Sequence, residues 1–175
     1  MYKVINCQYD KESLINLFNK SNKAMNKIMW EATDFDQNDP SVLNLYEKFN
    51  FVPYTPKNMT IGIITKNVNP YINPGNNGLI IFPLQNVLEV SFYSYPGVLV
   101  DGRPTLVPEW RNQAQLDEIK STHIETIQIT QPTIINGLVA HSYQIANNNV
   151  LICALKIPMP MSWDEIDMLT EQSHE

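Results

Sequence analysis

The stretch Pro132–Ile157, PTIINGLVAHSYQIANNNVLICALKI, decides how the rest of the chain is read. Three apolar segments, Pro132–Asn136, Leu138–Ile145 and Val150–Ile157, are separated by Asn136-Gly137 and by Asn147-Asn148-Asn149. Each segment is too short for a globular helix, rich in Ile and Val, and bounded by turn residues, so three consecutive strands are predicted. His141 and Tyr143 fall in the middle strand and Lys156 near the end of the last.

Working back from this stretch, the same pattern recurs at Met59–Thr65, Gly78–Leu84, Val87–Tyr95, Gly97–Val100 and His123–Thr130. Turn signals fall between them, at Pro74-Gly75-Asn76-Asn77-Gly78 and Asp101-Gly102. Seven or eight short strands at this spacing predict an α+β, mainly β fold: a sandwich or jelly roll with the early helices packed on one sheet. Val107–Lys120 is more polar and reads as a long loop with a helical turn at Gln113–Ile119, of the kind that covers a site.

The flanks read as helix. Asp10 is a suitable N-cap, and Leu14, Ile15, Phe18, Met25, Ile28 and Met29 hold a helical stripe through Trp30. After the turn cluster Asp34–Pro40, Ser41–Phe49 gives a second short helix, which Pro53 and Pro56 end. Near the other end Ser162-Trp163-Asp164-Glu165 is a capping box. The expected organisation is one domain over 1–175: a mostly helical segment (1–56), a β core (57–158) and a C-terminal helix (159–175).

Composition narrows the function classes. Of 175 residues 43% are hydrophobic and 17% charged, which suits a packed core and not a disordered chain. Eighteen acidic against 12 basic residues give a net charge of -6, which disfavours non-specific contact with nucleic-acid phosphates. The apolar runs are too short to cross a bilayer, and no signal-peptide pattern opens the chain. With two distant cysteines, Cys7 and Cys153, the expectation is reduced thiols, a cytoplasmic location (host cytoplasm for a viral chain) and no nucleic-acid or membrane partner.

The common catalytic motifs are absent: no Gly-x-Gly-x-x-Gly after a strand, no phosphate loop, no Gly-x-Ser-x-Gly elbow and no paired-cysteine zinc site. Of the three histidines, His174 is terminal, His123 precedes a strand and reads as a surface or rim residue, and His141 lies inside an apolar strand. The plain reading of His141 is a hydrogen-bonded core residue; the alternative is a ligand. Cys153 reads as a buried small hydrophobe, and Asp164, Glu165, Asp167 and Glu171 as the polar side of a terminal helix. Trp110 and Arg111 either line a pocket or pin their loop.

The run Gln131–Ser142, with the Asn-rich turn and apolar strand that follow, resembles the distal part of the Fe(II)- and 2-oxoglutarate-dependent dioxygenases. The likeness is to their short, prolyl-hydroxylase-like forms from phage and marine bacterial genomes, and it extends over roughly 59–169. It implies a double-stranded β-helix. It also implies a 2-His-1-carboxylate facial triad that leaves one face of the iron open to co-substrate and dioxygen. His141 matches the distal histidine. The family's His-x-Asp falls on Tyr71 and Asn73, in Pro70-Tyr71-Ile72-Asn73-Pro74. The arginine that pairs with 2-oxoglutarate falls on Val150 or Leu151, and Lys156 is the nearest cation, without the bidentate fork of arginine.

Spacing is therefore kept while ligands are not. The leading expectation is an oxygenase-like barrel without metal or 2-oxoglutarate binding. It would serve as a binding or structural module for a small polar molecule or a protein partner. Its pocket candidates are Tyr71, Asn73, His141, Tyr143 and Lys156, with His141 the one retained metal-ligand position. A second is an active hydroxylase that uses Fe(II) and 2-oxoglutarate through other ligands, with His123 as the second imidazole and Asp101 or Glu89 as the carboxylate. A third is a cupin-like or virion-type jelly roll that shares architecture alone.

Overall fold

The computed structural model describes residues 1–26, 28–72, 76–101, 103–106, 112–146, 148–158 and 161–172. In chain order the elements are β1 (Tyr2–Val4), α1 (Lys11–Lys20), β2 (Lys23–Met25), β3 (Trp30–Ala32), α2 (Pro40–Lys48), β4 (Met59–Ile64), β5 (Val68–Tyr71) and β6 (Asn76–Gln85). They continue with β7 (Leu88–Tyr93), β8 (Val98–Val100), β9 (Arg103–Thr105), α3 (Gln113–Ser121), β10 (His123–Ile129), β11 (Thr133–Asn136), β12 (Ala140–Ile145), β13 (Val150–Pro158) and α4 (Trp163–Gln172).

Two antiparallel sheets carry the fold. One runs β1-β11-β6-β13-β4-β3-β2 and the other β10-β7-β12-β5. Along the chain β4, β5, β6 and β7 alternate between the sheets, and β10 to β13 alternate again. The late strands slot between the early ones: β13 lies between β4 and β6, and β12 between β5 and β7. Two interleaved four-strand halves of this kind are a double-stranded β-helix, the expected jelly roll. The strands β1, β2 and β3 extend the first sheet at its two edges, and β8 and β9 form a separate ribbon.

β13 shows why its sequence is almost uniformly apolar. Leu151, Cys153, Leu155 and Ile157 belong to the core under the helices, while Val150, Ile152 and Ala154 belong to the core between the sheets. A strand covered on both faces loses the polar alternation of a half-exposed one. The outer face of the second sheet holds a smaller cluster, where Ile119 of α3 meets Ile72, Tyr93, Leu106 and Ala140.

The helix expected to run from Asp10 to Trp30 stops at Lys20. Its start is as read: the Asp10 carboxylate accepts from the Ser13 N–H at 3.0 Å. Beyond it the chain turns at Ser21, and Lys23–Met25 pairs with Trp30–Ala32 as a hairpin against β4. Asn26 makes the turn, its Oδ1 accepting from the N–H groups of Ile28 and Met29 at 2.7 and 2.8 Å. Asparagine that binds local backbone in this way competes with helix, and here it outweighs the apolar stripe. The segment 1–56 is thus mixed, with two helices and three strands. The expected turn at Gln113–Ile119 is the full helix α3, opened by a capping box at Asn112 and Gln115. The Ser162–Glu165 box forms as read, with reciprocal bonds of 2.7 and 3.2 Å. Among the described residues no helix is long and apolar enough to cross a membrane.

Candidate functional site

β5 ends, β6 begins, β7 ends, β12 begins and β13 ends at one mouth of the barrel, as their registers require. His141 opens β12 there, directly across from Tyr71 on one side and Phe92 on the other. All three, with Tyr143, point between the sheets; Phe92, Tyr143 and His141 are at most 2% exposed and Tyr71 9%.

The imidazole of His141 is enclosed by rings. Centroid distances are 4.5 Å to Tyr71, 5.5 Å to Tyr143 and 6.5 Å to Phe92. Tyr2 of β1 stacks on Phe92 at 5.8 Å with the planes 11° apart. The ring nitrogen Nδ1 lies 2.7 Å from the Val139 carbonyl oxygen. A carbonyl only accepts, so Nδ1 carries the proton and Nε2 the lone pair in the neutral ring. Burial pushes the histidine down to about 4, against the opposing pull of the Val139 carbonyl. The ring is therefore neutral at neutral pH.

Burial also holds both phenols in the neutral form. Tyr71 is raised well above its ordinary value and Tyr143 to about 12. The two hydroxyls influence each other's titration, yet Tyr143 Oη is buried and makes no hydrogen bond of normal geometry. The same is true of Asn77 Oδ1 near the start of β6. Both groups lie within a core where a hydroxyl or amide oxygen without a hydrogen bond is costly.

The other expected residues sort cleanly by place. Lys156 is half-buried, at the His141 end of β13, with the alternation that points Ala154 between the sheets. Val150 and Leu151 sit at the opposite end of that strand. Asn73, Trp110 and Arg111 lie outside the described residues. His123 is exposed; its Nε2 is 2.9 Å from Thr126 Oγ1 and its ring 5.8 Å from Tyr93. Tyr93 belongs to the outer cluster of the second sheet, so His123 and His141 are on opposite faces and do not converge. Glu89 accepts from Gln128 Nε2 at 3.1 Å and alternates with the inward Leu88 and Val90, while Asp101 is exposed at the tip of the β8–β9 ribbon. Neither carboxylate approaches His141.

As a donor set for Fe(II), the described residues at this mouth do not fit. One imidazole lone pair is present, the neighbouring position holds a neutral phenol, and no carboxylate faces it. Phenolate is the form of tyrosine that binds iron well, and burial has moved Tyr71 further from it. Among the described residues no three side chains of His, Cys, Asp or Glu gather anywhere. Within its wall of rings the arrangement offers one hydrogen-bond acceptor at Nε2 and the Tyr143 hydroxyl.

Sequence reasoning missed two members of the cluster's wall, Phe92 as a neighbour of His141 and Tyr2 beyond it. No local signal marks them, because strand register alone brings them together. No protein-family model matches the chain, and no curated protein is significantly similar to it. Its fold is similar to that of a solved structure of hydroquinone 1,2-dioxygenase PnpCD, in complex with Cd2+ and 4-hydroxybenzonitrile. The TM-score is 0.40 at 11% identity, over 62% of this chain and 63% of that one.

Proposed function

We propose that this chain is an oxygenase-like barrel that no longer uses Fe(II) or 2-oxoglutarate and acts as a binding or structural module. The observation that supports this best is the enclosure of His141. Where the resemblance implies a second imidazole, the Tyr71 ring packs 4.5 Å away as a neutral phenol. Fold does not carry function with it, and a barrel without its metal still presents a shaped interior.

The test is anaerobic calorimetry with Mn(II) standing in for Fe(II), with and without 2-oxoglutarate. The expected result is no binding heat up to millimolar metal. Micromolar binding that tightens with 2-oxoglutarate would overturn the reading and point to ligands elsewhere.

For the module's partner, the buried Tyr143 hydroxyl, which makes at most a weak contact with the Tyr71 hydroxyl and no bond of full geometry, favours a small polar molecule over a protein. A ligand bonded to that hydroxyl should raise the melting temperature of the native chain and lose that effect in Tyr143→Phe. A panel of uncharged polar molecules read by thermal shift checks this. Stabilisation that is equal in both proteins would mean the ligand sits elsewhere.

A further inference from the structure

We infer that β8 is a docking edge for a second copy of this chain, the two β8 strands pairing antiparallel about a two-fold axis at Leu99. Val98, Leu99 and Val100 are 60%, 71% and 42% exposed, so three consecutive apolar side chains meet water on both faces of the strand. Among the described residues β8 pairs with β9 and with no other strand, so its second edge is open.

The ribbon is anchored at its base. Ile72, just past the end of β5, donates its N–H to the Leu106 carbonyl at 3.0 Å, just past the end of β9. The ribbon thus continues the second sheet beyond β5, with β8 outermost. Thr105 and Leu106 are buried. Gly97 has a φ of 73°, and a Cβ there would stand 2.9 Å from both Ile72 Cδ1 and the Thr105 carbonyl oxygen. β8 therefore leaves the barrel at a glycine pressed against it.

Hairpin geometry decides which backbone groups face outward. Val100 pairs with Arg103 across a two-residue turn, and Asp101 has a φ of 51°, the left-handed value such turns need at their first central position. A turn of this kind closes with a hydrogen bond between its flanking residues, Val100 and Arg103. Bonded and non-bonded pairs alternate along an antiparallel ladder, so the next pair, Leu99 and Pro104, is non-bonded. Proline has no N–H to lose at that position. The Leu99 N–H and C=O accordingly point away from β9, to the open edge.

An edge strand whose central residue turns both groups outward is complementary to itself. Under a two-fold axis Leu99 exchanges two backbone bonds with the same residue of the second copy, and each Val98 faces a Val100. Asp101 falls opposite Gly97, so no like charges meet on these strands. The outer strands elsewhere each carry a charged residue of the kind that blunts an edge: Lys3 in β1, Lys23 in β2 and Glu125 in β10. β8 carries none. Three side chains are a small contact beside the roughly 800 Å² per partner of a standard interface, so a weak, concentration-dependent dimer is expected.

The test is sedimentation velocity of the native chain from about 10 μM to about 1 mM, the range of a weak interface, read together with amide hydrogen exchange. The expected result is a monomer at the low end and a growing dimer fraction above it. Exchange at the Leu99 N–H should slow by about two- to tenfold across the range, while Val98 and Val100, bonded within the ribbon, stay unchanged. Leu99→Lys sets like charges across the axis and should keep the chain monomeric throughout. Leu99→Pro removes the outward N–H and should do the same. A native chain that is monomeric at every concentration would overturn the inference and leave the edge to a strand of another protein. A dimer that persists in Leu99→Lys, or that leaves Leu99 exchange unchanged, would place the contact elsewhere and overturn it as well.

Discussion

The burial of His141 makes a prediction about stability against pH. Its folded value is about 4 against an ordinary 6.5, so between these the unfolded chain binds the proton and the folded chain does not. The neutral ring's contribution is thus fully present above about pH 6.5 and is lost as pH falls through the folded value. With 1.36 kcal/mol per pKa unit, the loss is about 2 kcal/mol at pH 5 and about 3 kcal/mol below pH 4.

His141→Asn isolates this contribution, since its amide still donates toward the Val139 carbonyl but does not titrate. Urea unfolding of both proteins, followed by tryptophan fluorescence from pH 7.5 to 4.5, gives the stability difference at each pH. The advantage of the native chain should shrink by about 2 kcal/mol between pH 7.5 and 5. A difference that stays constant would mean that the ring is solvated in the folded chain. A difference that grows on acidification would mean that it sits against a carboxylate, and the account of the mouth as a neutral, ring-lined pocket would fail.

Three further outcomes follow from particular contacts. Tyr143→Phe removes a buried hydroxyl with no bond of full geometry beyond its weak contact with Tyr71, and should leave stability in urea unchanged or raised by up to about 1 kcal/mol, where a clear loss would show that the hydroxyl is firmly bonded. Gly62→Ala would place a Cβ 2.5 Å from Met29 Sδ and 3.0 Å from the Trp30 carbonyl oxygen, so the β3–β4 seam must shift. Thermal melts should show a cost of about 1–3 kcal/mol for this overpacking, and a neutral result would mean that Met29 swings clear. Ser162→Ala breaks the α4 cap and should cost about 1 kcal/mol in calorimetric melts, with Ser162→Thr recovering most of it.

The jelly roll was legible because its strands are apolar runs of strand length between asparagine and glycine turns. Most of β4, β6, β7 and β10 to β13 fall where those runs fall. β5 was not legible. Val68-Asn69-Pro70-Tyr71 is short and contains a proline, which a ladder tolerates at an edge, and β5 is the edge of its sheet. The β2–β3 hairpin was hidden for a different reason: a helical stripe and an asparagine turn competed over the same residues, and periodicity cannot weigh one against the other. The site was half legible. His141 could be placed inside an apolar strand from sequence, but its neighbours Tyr71 and Phe92 come from two other strands far away in the chain, and only register assembles them.

On the proposed reading, the ring cluster would hold this end of the barrel together without an ion. In a metal site, ligands from separate strands are tied by the cation, and losing it leaves polar groups facing one another in a low-dielectric space. Here Tyr71 fills that place with a ring against His141 and Tyr143, and Phe92 and Tyr2 extend the wall. Aromatic pairs contribute about 0.5–1.5 kcal/mol each beyond the area they bury, enough to replace a tie that only had to hold strands in register. Closure has a consequence, however. Rings packed tightly enough to stabilise the mouth also leave His141 only 2% exposed, so the imidazole offers a ligand little surface. Tyr71, Phe92 and Tyr143 sit on the adjoining strands β5, β7 and β12 of the second sheet. Tyr2 comes from β1, at the edge of the other sheet, so the wall joins the two sheets at this end through ring packing.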